Sequence, residues 1–114
     1  MAILSFSMTT KEFLSGNKTV TRRVWADSYH EMWERMWETD RLIHDAYNNI
    51  PRAGGKKIGE IKLIDRPYKE RLSDMPQEDL LAEGGMCKTL NEYIEFIGKE
   101  PNDTVSVIRF IKIS

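Results

Sequence analysis

Residues 15–25 read SGNKTVTRRVW and bring Lys18, Arg22 and Arg23 into a stretch with the composition of a β-strand. Within it Gly16, Lys18, Thr21 and Arg23 spell G-x-K-x-x-T-x-R. Side chains of a strand alternate between faces, so Thr19, Thr21, Arg23 and Trp25 share one face while Val20, Arg22 and Val24 share the other. The first face offers a planar cation for phosphate or carboxylate, hydroxyls for hydrogen bonding, and an indole on which a base can stack. Lys18 lies just ahead of the strand, where the chain turns, and can lean over the same pocket. Spacing alone leaves a second account open, in which these cations are the solvated charges of an ordinary strand.

A further basic element lies in the stretch NNIPRAGGK, residues 48–56, the one loop dense in Asn, Pro and Gly. Arg52, Lys56 and Lys57 flank the Gly54–Gly55 pair, where missing side chains let backbone amides approach an anion. It is not a P-loop, because no Lys-Ser/Thr pair follows at the required spacing. The alternative is that two glycines simply permit a hairpin turn. Other conspicuous residues have plainer readings. Trp33, Trp37, Met32 and Met36 at helical spacing read as core, Cys87 as a packed filler, and His44 as a packed histidine. The acidic run KERLSDMPQEDLLAE reads as a solvated face, with its final residue, Glu83, the exception.

The elements that must position these groups are punctuated by their caps. Thr9 with Glu12, Ser28 with Glu31 and Thr89 with Glu92 have the Ser/Thr-x-x-Glu spacing of a capping box and predict three helices, over about residues 10–15, 28–38 and 89–97. Gly16 supplies the left-handed exit of the first, and Gly98 followed by Pro101 ends the third. A weaker helical turn starts at Pro76 and closes at Gly84–Gly85. Five runs have strand character: AILSFS at the start, then residues 18–25, 41–47, 56–65 and 104–113. In the last, Val105, Val107, Ile111 and Ile113 point one way and Ile108 and Phe110 the other, which predicts a central strand covered on both faces. Short strands without a βαβ rhythm predict an α+β chain: a small barrel or strongly bent sheet with helices at its ends.

Whole-chain quantities bound the function. The 114 residues, 40% hydrophobic and 31% charged, suit one domain spanning 1–114 with a real core. Seventeen Lys and Arg against 18 Asp and Glu exclude a strongly basic packaging protein and slightly favour a small ligand over a long polyanion. One cysteine cannot form an internal disulfide, and His30 and His44 have no zinc spacing, so the reading is metal-free, cofactor-free and of a reducing, cytoplasmic setting. The apolar N-terminal octet lacks a basic lead and is too short for a signal peptide or membrane span.

The G-x-K-x-x-T-x-R pattern at 16–23, followed by DAYNNIPRAGGKKIGEIKL at 45–63 and LLAEGGM at 80–86, resembles the ASCH domain, a branch of the PUA-like superfamily. The resemblance touches nearly the whole chain, and its first motif is the most specific part. It implies a PUA-like small β-barrel of about five to six strands with flanking helices, and a cleft for RNA or nucleotide-like ligands. Certain small members are amidohydrolases that remove the acetyl group from acetylcytidine with a Lys, a Thr and a Glu. By position Lys18 and Thr21 take the first two roles and Glu83 the third, with Glu78 nearby. Gly16, Arg22, Arg23, Trp25, Arg52, Lys56 and Lys57 complete the ligand-binding set.

Amide hydrolysis needs a nucleophile or activated water, a proton carrier and oxyanion donors, and these residue types can supply them. For Lys18 to act as a base its pKa must fall by roughly three units from about 10.4, on the order of 4 kcal/mol, through burial or the neighbouring Arg22 and Arg23. A close, ionised Glu83 opposes that fall, so base, nucleophile partner and electrostatic anchor all stay open for Lys18. Three functions stay open with them: a module binding RNA or a nucleotide, an amidohydrolase of a modified nucleoside, and a scaffold with a vestigial cleft that uses the apolar stripe of the second helix.

Overall fold

The computed structural model describes residues 2–114. Among them are six strands and four helices, in the order β1 (Ile3–Ser5), α1 (Thr10–Leu14), β2 (Val20–Arg23), α2 (Asp27–Glu38), β3 (Ile43–Tyr47), β4 (Lys57–Leu63), β5 (Tyr68–Arg71), α3 (Asp79–Ala82), α4 (Leu90–Phe96) and β6 (Thr104–Lys112). The fold is α+β, a curled, barrel-like sheet with flanking helices, as the alternation of short strands and capped helices predicts. No helix among the described residues is long and apolar enough to cross a membrane.

The sheet runs β1-β3-β4-β6-β2, with β5 also paired to β6. All pairings are antiparallel except β1 with β3. The long β6 joins the two halves: its first part is paired by β2 and β5, and its last residues, Phe110–Lys112, pair with β4. Val105 and Val107 belong to a core with Val20, Leu72, Leu80, Tyr93 and Ile94, whereas Ile108 and Phe110 belong to one with Leu4, Phe6, Phe13 and Trp33. This strand is therefore central and covered on both faces, as its composition predicts, but only as far as Phe110. Ile111 and Ile113 are exposed.

Two local expectations are revised. Thr89 does cap α4, its Oγ1 accepting from Glu92 N at 3.1 Å. Thr9 makes no side-chain cap bond to α1, and α2 starts at Asp27 with Ala26 as its cap, so Ser28 lies inside it. Residues 69–71, read as part of a solvated acidic face, form β5 together with Tyr68, because the alternating Tyr68 and Glu70 turn inward over β6.

Candidate functional site

Gly16 takes a φ of +82° just past α1, the left-handed turn expected there, and is exposed. The chain that follows is held on both sides, since Lys18 N donates to Glu12 O, Thr19 N donates to Ala82 O at 2.8 Å, and Thr19 O accepts from Phe110 N at 2.9 Å. This places the start of β2 against the C-terminal end of α3, where Glu83 is the cap residue. Gly84 and Gly85 then reverse the chain at φ +130° and +76°. Glycine is needed here, since a Cβ on Gly84 would also stand 3.0 Å from the side chain of Glu12.

Three groups meet in consequence. Lys18 is 3% exposed, Thr21 3% and Glu83 2%, and all three line one cleft of ≈ 360 Å³. Lys18 Nζ donates to Glu83 Oε1 and to the Glu83 backbone oxygen, each at 2.9 Å. Glu78, the neighbouring acid, is exposed and does not line the cleft. Thr21 Oγ1 accepts from Arg23 Nε at 3.0 Å, while Arg23 Nη2 donates to Ser5 O at 2.6 Å and the guanidinium lies over the Phe6 ring. Met8, Met86, Tyr93 and Phe96 form the more apolar wall.

Arg22 stands differently from its sequence expectation. Its side chain is fully buried and its donors go to three carboxylates: Nε to Glu70 Oε1 at 2.9 Å, Nη1 to Glu83 Oε2 at 2.9 Å, and Nη2 to Asp79 Oδ2. Asp79 also takes Arg109, which in turn donates to the Tyr68 hydroxyl at 2.8 Å. Arg22 thus clamps Glu83 from behind, rather than offering its fork to a ligand. The acidic run is correspondingly not a solvated face throughout: Asp79 and Glu83 are buried counterions, and Glu70 is partly buried.

The electrostatics follow from this burial. Desolvation lowers the Lys18 pKa and outweighs the attraction of Glu83, and the positive charges of Arg23 and Arg22 add to the fall. Arg22 also engages the second oxygen of Glu83, so the carboxylate's charge is shared between two cations. Burial likewise lowers the Arg23 pKa, since no carboxylate pairs with it among the described residues. For Asp79 burial alone would act upward, but hydrogen bonds from Arg109 and Arg22 hold the carboxyl below the usual range.

Trp25 lies in an adjoining hollow of ≈ 290 Å³ that shares Ser5 and Arg23 with the cleft. One of its contacts is a stack on Trp33, with centroids 5.4 Å apart, and another is edge-on to Tyr29. Arg52, Lys56 and Lys57 are exposed and line neither space; Lys57 pairs with Asp45 and Glu60 at 3.1 Å each. Gly55 packs so closely that a Cβ would fall 1.8 Å from Asn49 O, which is the demand of a tight turn. His44 is a packed histidine, its Nδ1 accepting from Ala2 N and its Nε2 facing Arg41 O.

Sequence reasoning missed Glu70, Asp79, Arg109 and Tyr93. Glu70 and Asp79 lie in a charged stretch where nothing local marks them as buried, and Arg109 is a single cation within an apolar strand whose partner is 30 residues away. Tyr93 carries a signal only in hindsight of its neighbours: it sits on the apolar stripe of α4, where a hydroxyl must find a polar space. In comparisons of the chain with known proteins, no family model, curated protein or solved structure matches it.

Proposed function

We propose that this chain is an ASCH-like amidohydrolase that removes the acyl group from the amide of a modified nucleoside such as acetylcytidine. The observation that supports this most is the convergence of Lys18, Thr21 and Glu83 on one cleft of ≈ 360 Å³, a size suited to a small ligand. The cations around it favour the same choice, since Lys18 and Arg22 are already matched by Glu83, Glu70 and Asp79, which leaves only Arg23 and Lys99 in the lining without a carboxylate among the described residues. A long polyanion asks for an extended track of unmatched cations instead.

In this reading neutral Lys18 accepts the Thr21 hydroxyl proton as Thr21 Oγ1 attacks the acyl carbon. The C–N bond breaks, and Lys18 passes the proton to the departing amine. Water then hydrolyses the threonyl ester, releasing the carboxylic acid and restoring Thr21. Glu83 holds the ammonium that forms between the two transfers, and the Arg23 Nε–H on Thr21 Oγ1 favours the developing alkoxide.

The test is incubation of purified protein with acetylcytidine and a panel of other acylated nucleosides. Equal release of nucleoside and carboxylic acid by the wild type, and none by Lys18→Ala, is the expected result. No product from any substrate after long incubation retires the reading. A second reading, binding of RNA or a nucleotide without turnover, is favoured by the adjoining hollow where Arg23 and Trp25 stand together. Its signature is affinity that falls steeply with added salt.

A further inference from the structure

Tyr93 reaches the cleft from α4, not from β2. It lies on α4, packs in the same core as Val20, Ile94 and Val107, and yet lines the cleft with Lys18, Thr21 and Glu83. Only 3% of the residue is exposed. Burial first, and then the charge of Glu83, hold its hydroxyl pKa well above the ordinary phenol range. The group is therefore an O–H donor at any pH at which the protein would work.

Of the cleft's cationic donors, Lys18, Arg22 and Arg23 are engaged. Lys18 directs two hydrogen bonds to Glu83, Arg22 serves three carboxylates, and Arg23 bonds Thr21 and Ser5. The short, aligned hydrogen bonds that fix the Glu83 carboxylate come from Lys18 and Arg22. Tyr93 lies close enough to feel that carboxylate through both its charge and a weaker hydroxyl contact, which a ligand oxygen can replace. A phenol buried in an apolar core and ending in a polar cleft is normally satisfied there, by water or by a ligand.

Resting on the hydrolase reading of this cleft, we propose that the Tyr93 hydroxyl donates a hydrogen bond to the acyl oxygen of the substrate, binding the carbonyl and then the oxyanion as Thr21 attacks. Tyr93 thereby selects the acylated nucleoside over its deacylated product, which lacks that oxygen.

The experiment compares wild type with Tyr93→Phe, reading both turnover of acetylcytidine and the separate affinities for acetylcytidine and cytidine by titration calorimetry. The variant removes one oxygen and no packing atom. The expected loss is about 10²- to 10³-fold in kcat, with acetylcytidine affinity down about 2- to 10-fold and cytidine affinity unchanged. A fluorinated tyrosine at the position, which keeps both hydroxyl and packing, should restore the preference. Unchanged preference and unchanged kcat in Tyr93→Phe overturn the proposal. If the wild type turns nothing over, the hydrolase reading falls, while the affinity ratio still decides Tyr93 as a carbonyl donor. A wild type that does not prefer the acylated form overturns it as well.

Discussion

Lys18 donates to two oxygens of Glu83, one on the side chain and one on the main chain, at 2.9 Å each. The pairing ties the turn ahead of β2 to the end of α3 across 65 residues of sequence, and it buries an amine beside the carboxylate that would hold it when charged. Burial wins over that attraction, so Lys18 loses its proton more readily than a free lysine.

Because the neutral amine is the proposed base, turnover should rise with pH as Lys18 passes through its lowered pKa. Lys18→Arg keeps the positive charge and can still meet Glu83, but it cannot be deprotonated at any working pH. It should be inactive across the whole profile. An active Lys18→Arg variant would reduce Lys18 to an electrostatic anchor.

Glu83 acts on Lys18 in the raising direction. Glu83→Gln removes that pull and should move the rising limb of the pH–rate profile to lower pH, alongside a fall in kcat. A limb that stays in place or moves upward contradicts the coupling, and a profile of kcat against pH reads it directly.

Thr21→Val keeps the β-branched shape and removes the hydroxyl that Arg23 Nε donates to. Turnover should disappear, substrate binding should persist, and stability should fall by about 1 kcal/mol for the lost hydrogen bond. Thr21→Ser should retain activity. Equal rates in the valine and serine variants would exclude Thr21 as nucleophile.

Arg22 is the common partner of Glu70, Asp79 and Glu83, so Arg22→Met leaves buried carboxylates without their shared cation. The expected cost is about 3–5 kcal/mol, measured by denaturant unfolding. The Asp79 carboxyl is held below its unfolded pKa, so the unfolded chain binds more protons in that window and stability falls as pH drops below about 4. Asp79→Asn should flatten that acid limb; an unaltered limb would assign acid loss to other groups.

The loop at residues 48–56 separates a turn from an anion site. Arg52 and Lys56 line neither hollow, so Arg52→Ala with Lys56→Ala should leave ligand affinity unchanged. Gly55→Ala, whose Cβ would collide with the Asn49 backbone oxygen, should cost about 1–3 kcal/mol of stability. Loss of affinity in the double variant, with stability intact, would restore the loop as a phosphate contact.

Local chemistry was sufficient for much of this architecture. Four helices, five of the six strands and the central place of β6 were legible from Ser/Thr-x-x-Glu spacing, apolar periodicity, glycines and period-2 alternation, which are properties of a few consecutive residues, although only Thr89 forms the cap bond that the spacing implies. The fixed spacing of Lys18, Thr21 and Arg23 could be read in the same way. The strand Tyr68–Arg71 could not, because its inward residues include Glu70, and a carboxylate becomes an acceptable interior group only once Arg22 is opposite it.

What the sequence determined by itself was therefore the elements, the curled α+β sheet and the motif that carries Lys18 and Thr21 into β2. Only the tertiary structure decided that Arg22 turns inward to carboxylates while Arg23 stays on the cleft, that Asp79 and Glu83 are buried, and that Tyr93 meets them from α4. The physical reason is that periodicity is set by neighbours along the chain. Burial of a charge is set by its counterion, and here the counterions come from 30 to 65 residues away.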